Sequence, residues 1–139
     1  KPLVDAGVPI AQIDVLEPGH LYGYGICNVI PHIVKHNVPN CGWKIWLDGR
    51  KLFYCTDMNN LNGISAPNYD LYMVEANYDD KEIQAKIAEK KLTGEYIYEK
   101  RVLRDHMSVA KVNDWLYANM GPNSAYIYMH CHQDKEGST

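Results

Sequence analysis

The chain has 139 residues, 46% apolar and 22% charged, ordinary values for one globular domain. Fourteen basic against seventeen acidic side chains leave a net charge of −3, which gives no sign of a broad basic surface for duplex nucleic acid and leaves room for a local basic patch. No apolar run approaches the ~20 residues that span a bilayer, and no signal-peptide pattern is present, so no membrane role is expected.

In chain order, the sequence opens on Lys1 and closes on Gly137-Ser138-Thr139, and it reads as a piece of a longer protein. Residues 1–139 hold no repeat or linker and are expected to form a single domain. Ile13 to Leu16 is a short strand candidate ahead of Pro18-Gly19. Ile26 to Val34 reads as a β-branched strand in which Pro31 marks an edge or an irregularity, since proline cannot donate to a ladder. Gly42 to Leu47 and Lys51 to Cys55 flank Asp48-Gly49, a pair that tolerates the positive φ angles of a tight hairpin turn. Tyr69 to Ala76 and Ser124 to His130 are nearly continuous apolar strands.

Two helices are readable. One starts at the N-cap candidate Asp79, with Glu82 three residues on, carries Ile83 and Ile87 on one face, and closes at Gly94. The other starts after Ser108, carries Val109, Val112 and Leu116 with Trp115 beside them, and stops at Gly121-Pro122. The fold class is therefore α/β, with a mixed sheet and helices on one face. Cys27, Cys41, Cys55 and Cys131 form no C-x-x-C pair and read as reduced thiols of a cytoplasmic protein.

Three positions hold possible metal ligands at strand ends: His36, Asp57 and His130. Ionisable residues just past buried strands lie where open sheets place their ligands, and imidazole and carboxylate suit zinc. A histidine after a strand also serves as a surface or capping residue, and an aspartate there as a turn or N-cap residue. His132, beside His130, reads as solvated.

The order of these residues resembles the C-terminal half of the metallo-β-lactamase hydrolases, most closely their ribonuclease Z-like phosphodiesterase branch. His36 ahead of Gly42-Trp43, the strand ending Tyr54-Cys55-Thr56-Asp57, the run Val74-Glu75-Ala76-Asn77, the helix entry His106-Met107-Ser108 and the strand-ending His130 follow that family's motifs in sequence. The resemblance spans roughly residues 26 to 133. It implies half of an αββα sandwich and two zinc ions, one on His36 and Asp57, the other on His130 and the same aspartate. It also implies that Glu75 and His106 pass a proton to the leaving group. Two departures stand out: Val74 replaces the histidine of one motif, and no His-x-His-x-Asp-His string occurs.

With half its ligands missing, the chain alone is expected to bind metal weakly or not at all and to be inactive until completed. The implied partner is a second copy or an N-terminal half-domain, covering one face of a sheet whose strands are apolar on both sides at Leu52, Tyr54, Leu71, Met73, Tyr126 and Tyr128. The implied substrate is a nucleotide or nucleic-acid phosphodiester. The competing readings are a non-catalytic binding or assembly module and a small nucleotide-binding or cyclic-nucleotide-cleaving protein of phage type.

Overall fold

The computed structural model describes residues 2–131. One mixed sheet carries six strands in the order of the chain: β1 (Tyr22–Tyr24), β2 (Cys27–Val34), β3 (Asn40–Leu47), β4 (Arg50–Cys55), β5 (Leu71–Glu75) and β6 (Ala125–Met129). The first four are antiparallel, and β4, β5 and β6 are parallel. The helices are α1 (Pro2–Asp5), α2 (Asp80–Thr93), α3 (Glu99–Asp105) and α4 (Val109–Asn119), with a 3-10 turn at Ile10–Gln12. This is an α/β arrangement with helices packed on a sheet, as the sequence pattern implies.

Local chemistry explains the well-read elements. The β3–β4 hairpin turns at Asp48 and Gly49, whose φ angles of 47° and 73° match the tight turn that this pair favours. Asp79 caps α2 by accepting from the amides of Lys81 (2.8 Å) and Glu82 (3.1 Å), and Gly94 ends it in the left-handed region. Pro31 lies in β2 beyond the last β1 pair, Tyr22 with Val29, so the side from which its missing N–H would donate needs no second neighbour.

The core lies between one face of the sheet and α4. Phe53, Cys55, Tyr72 and Val74 come from that face, and Val112 and Leu116 from the helix, all at most 3% exposed. Phe53 and Trp115 stack with centroids 4.9 Å apart, and Tyr72 meets Trp115 edge-on at 5.9 Å. Trp115 Nε1 donates to the Ile64 carbonyl and Asn119 Oδ1 accepts from the Ala66 amide, which ties α4 to the loop between β4 and β5. A second cluster of Tyr78, Ile83, Ile87 and Val102 joins α2 and α3 beyond the end of β5.

Several elements differ from the sequence expectation, α1 and the 3-10 turn among them. Ile13 to Leu16 is not a strand: after the 3-10 turn the chain runs irregularly, with Val15 90% exposed and no strand paired with it among the described residues. The short strand β1 and the seven-residue helix α3 are additional elements. The six apolar strand residues divide between the two faces of the sheet. Leu52, Tyr54, Leu71 and Met73 lie in register with Trp43, Ile45 and Ile127 on the face away from α4, and none of these seven belongs to either buried cluster. Tyr126 and Tyr128 pair with Tyr72 and Val74 and so lie on the helix side.

Candidate metal centre

Three parallel strands end at one rim, and their register sets what meets there. Cys55, Val74 and Tyr128 stand side by side across β4, β5 and β6. Asp57 lies two residues past that line, Glu75 one, and His130 two. Ligand sites of open sheets form at such carboxyl ends. Both outer residues leave their strands with left-handed backbones, φ 54° at Asp57 and 50° at His130, which bends the chain and turns their side chains together.

The fourth group arrives from the helical side. His106 ends α3, its amide bound to the Val102 carbonyl. The chain then runs alongside 76–78: the Asn77 amide donates to the Met107 carbonyl, the Val109 amide to Tyr78, and Tyr78 and Ser108 form a parallel bridge. That short extension of the sheet sets His106 beside Glu75.

Ligand atoms of Asp57, Glu75, His106 and His130 consequently all lie within 4.8 Å of one another. His106 Nδ1 is 2.5 Å from Glu75 Oε1, and His130 Nδ1 is 3.2 Å from Asp57 Oδ1 and 3.7 Å from Glu75 Oε1. Glu75 is fully buried at the floor, while the Asp57 and His130 side chains are 46% and 45% exposed at the mouth. Burial pushes the Glu75 carboxyl up to about 7, although its Oε2 accepts from the Met58 amide at 2.9 Å. His106 is held below its ordinary value, first by burial and then by the neighbouring His36. Both shifts disfavour the charged forms, and Glu75 Oε1 and His106 Nδ1 are close enough to share one proton.

Four of the five residues singled out from the sequence, including both of those expected to relay a proton, are therefore in one group. The fifth, His36, stands beside it, its ring 5.3 Å from that of His106 and tilted by 57°. His36 Nδ1 is 3.0 Å from the Asp105 carbonyl oxygen. A carbonyl only accepts, so Nδ1 carries the proton in that contact and Nε2 keeps the lone pair, the arrangement that orients metal-binding histidines. Asp105 is itself held down to about 2, chiefly by the Arg104 guanidinium. His132 lies outside the described residues.

Two supporting residues escape a sequence reading. Asn40 Nδ2 donates to the carbonyls of Thr56 (2.8 Å) and Asp57 (3.0 Å), which holds the turn that presents Asp57. Asn77 Nδ2 donates to the His130 carbonyl at 2.8 Å and does the same for the opposite side. Their only sequence signal is an asparagine next to a strand exit.

No family model and no curated protein matches this chain. Two imidazoles and two carboxylates converging at a half-open site are donors that zinc takes in hydrolytic centres. Among the described residues, no helix is long and apolar enough to cross a membrane.

Proposed function

We propose that this chain is the ligand-bearing half of a zinc-dependent hydrolase of the metallo-β-lactamase type, acting on phosphodiesters. The observation that carries the reading is the convergence of Asp57, Glu75, His106 and His130 at the ends of parallel strands, with His36 one ring away. Zinc bound there would supply a hydroxide at neutral pH by lowering the pKa of a coordinated water. Asp57 and His130, half-exposed, are the groups that would hold ions at the mouth, with His36, its ring 5.3 Å from that of His106, as a further donor nearby. Glu75 and His106 would hold and move a proton: the carboxyl sits near neutrality and touches Nδ1 directly, so either group can give it up as charge develops on a leaving oxygen.

The open sheet face supports a partner. Trp43, Ile45, Leu52, Tyr54, Leu71, Met73 and Ile127 form a continuous apolar surface that the two cores leave out. Surfaces of this kind mark interfaces. A second copy or an N-terminal half-domain would cover that face, and the half-domain would also supply the ligands this chain lacks, in a cytoplasmic setting that suits free thiols at Cys27, Cys41, Cys55 and Cys131.

One observation favours the second reading, a non-catalytic module. The four groups already satisfy one another as two histidine–carboxylate pairs, His106 with Glu75 and His130 with Asp57. Zinc titration by calorimetry decides between them. The hydrolase reading expects at most weak zinc binding by the chain alone, weakened further by Asp57→Ala, and tight zinc binding with cleavage of bis-p-nitrophenyl phosphate once a partner is supplied. Zinc affinity unchanged by both Asp57→Ala and His130→Ala would overturn it.

A further inference from the structure

One edge of the sheet is left without cover. β6 is the last strand in the order, so it pairs with β5 on one side and with no strand on the other among the described residues. Tyr126 and Ile127 point to opposite faces of that strand and are 49% and 48% exposed, so the edge is open from both faces. The Ala125 amide donates to the Asp70 carbonyl at 2.9 Å, and the Met129 carbonyl accepts from the Ala76 amide at 3.0 Å. Both bonds run toward β5. Successive residues of a strand direct their backbone groups to alternate sides, so the N–H and C=O groups of Tyr126 and Tyr128 point outward.

A row of unpaired backbone groups is a template for another strand, and monomeric proteins blunt such edges with charge, proline, a bulge or brevity. β6 has none of these devices. Its residues, Ala-Tyr-Ile-Tyr-Met, include no charged side chain, proline or glycine, and they run in unbroken register with β5. The opposite edge differs, since β1 has only three residues, one of them glycine.

We propose that β6 is a homodimer interface, in which the β6 edges of two copies pair antiparallel about a two-fold axis at Ile127 and continue the sheet from one copy into the other. Tyr126 of one copy then faces Tyr128 of the partner subunit. Each such pair exchanges both of its N–H···O=C bonds, which uses every outward group of the strand. The Tyr126 and Tyr128 rings, 5.1 Å apart within one copy, gain the matching rings of the other on the helix side. On the opposite face Ile127 meets its own counterpart, which joins the two uncovered apolar faces edge to edge. A second copy fits better than a different protein for two reasons: the strand offers no charge for a partner to recognise, and its outward groups are symmetric about Ile127. The assignment uses no metal chemistry and is separate from a partner that covers the sheet face.

Sedimentation velocity of the full chain over a concentration series, with chelator present, tests the interface. A monomer–dimer equilibrium is expected. Tyr126→Pro removes an outward donor and leaves every bond to β5 in place, a substitution that edge strands accept. Tyr126→Ala removes the same ring but keeps the N–H. The proline variant should have a dimer dissociation constant at least about tenfold above that of the alanine variant, since one bond is lost in each copy. Amide hydrogen exchange of the wild type decides where the proline variant does not fold. The Tyr126 and Tyr128 amides should gain protection as concentration rises, while Ala125, already bound to Asp70, should not change. A chain that stays monomeric throughout overturns the proposal, as does a dimer weakened equally by proline and alanine, which would associate through another surface. Protection of Tyr126 and Tyr128 that does not depend on concentration also overturns it, because a segment of the same chain would then occupy the edge.

Discussion

Glu75 offers a quantitative check on the electrostatics of the rim. Its carboxyl is fully buried and pushed from an ordinary 4.5 up to about 7. Between those values the folded chain holds a proton that the unfolded chain has released, so stability falls as pH rises through that window. Integrating the shift between pH 5 and pH 8 gives a loss of roughly 2.5 kcal/mol. Glu75→Gln removes the ionisation while keeping an oxygen for the Met58 amide and an amide group facing His106 Nδ1. His106 acts in the opposite direction: held below its ordinary value, it adds stability as pH rises through the mid-sixes. The two groups are in contact, so the difference between wild type and variant reports on the pair. Urea denaturation with chelator present, at pH 5 and pH 8, should show wild type losing about 2 kcal/mol or more relative to Glu75→Gln over that interval. Parallel behaviour of the two chains, or a wild type that gains on the variant toward pH 8, would refute the account of Glu75 as a carboxylate strained by burial.

Three further outcomes are expected. Gly42→Ala should destabilise by about 1–3 kcal/mol in denaturant titration, because the added Cβ would stand 2.8 Å from Cys55 Sγ and 3.2 Å from the Tyr54 carbonyl, in a fully packed part of the core. Asp79→Ala removes the acceptor for two amides at the start of α2 and should cost ~1 kcal/mol, while Asp79→Asn should restore most of it. Ile127→Lys places a charge in the uncovered sheet face at a residue already 48% exposed. The folded chain should keep its stability within about 0.5 kcal/mol, and any dimer seen by sedimentation for the wild type should dissociate.

Much of this arrangement is legible in the residues, and the limits have physical causes. Asp48-Gly49, Asp79 with Gly94, and Ser108 with Gly121-Pro122 carry strong local signals, and each marks the element boundary that the structure shows within a residue or two. Glu75, inside the expected strand, is marked only by the family resemblance, whereas the strand exits at Asp57 and His130 could be read because apolar runs end there. Helix α3 could not: it is seven residues long, and Tyr98 at its start makes no side-chain cap. Packing against Tyr78 and α2 stabilises it, together with the Lys90–Glu99 ion pair. Ile13 to Leu16 misleads for the converse reason, since β-branched residues promote a strand only when another strand is there to pair with. The division of the sheet faces depends on parity across six strands, and one residue of uncertainty at each boundary reverses it.

The left-handed turns at Asp57 and His130 have a consequence for anyone who tries to stabilise this protein. Glycine suits both positions better than the residues that occupy them, because it reaches that region of backbone space without a steric penalty. A screen that rewards only resistance to heat would thus favour glycine at these two corners, and each gain in melting temperature would delete a donor from the rim. Thermal robustness and chemical competence are opposed at two identifiable positions, and a thermostable derivative of this chain should be inspected there first.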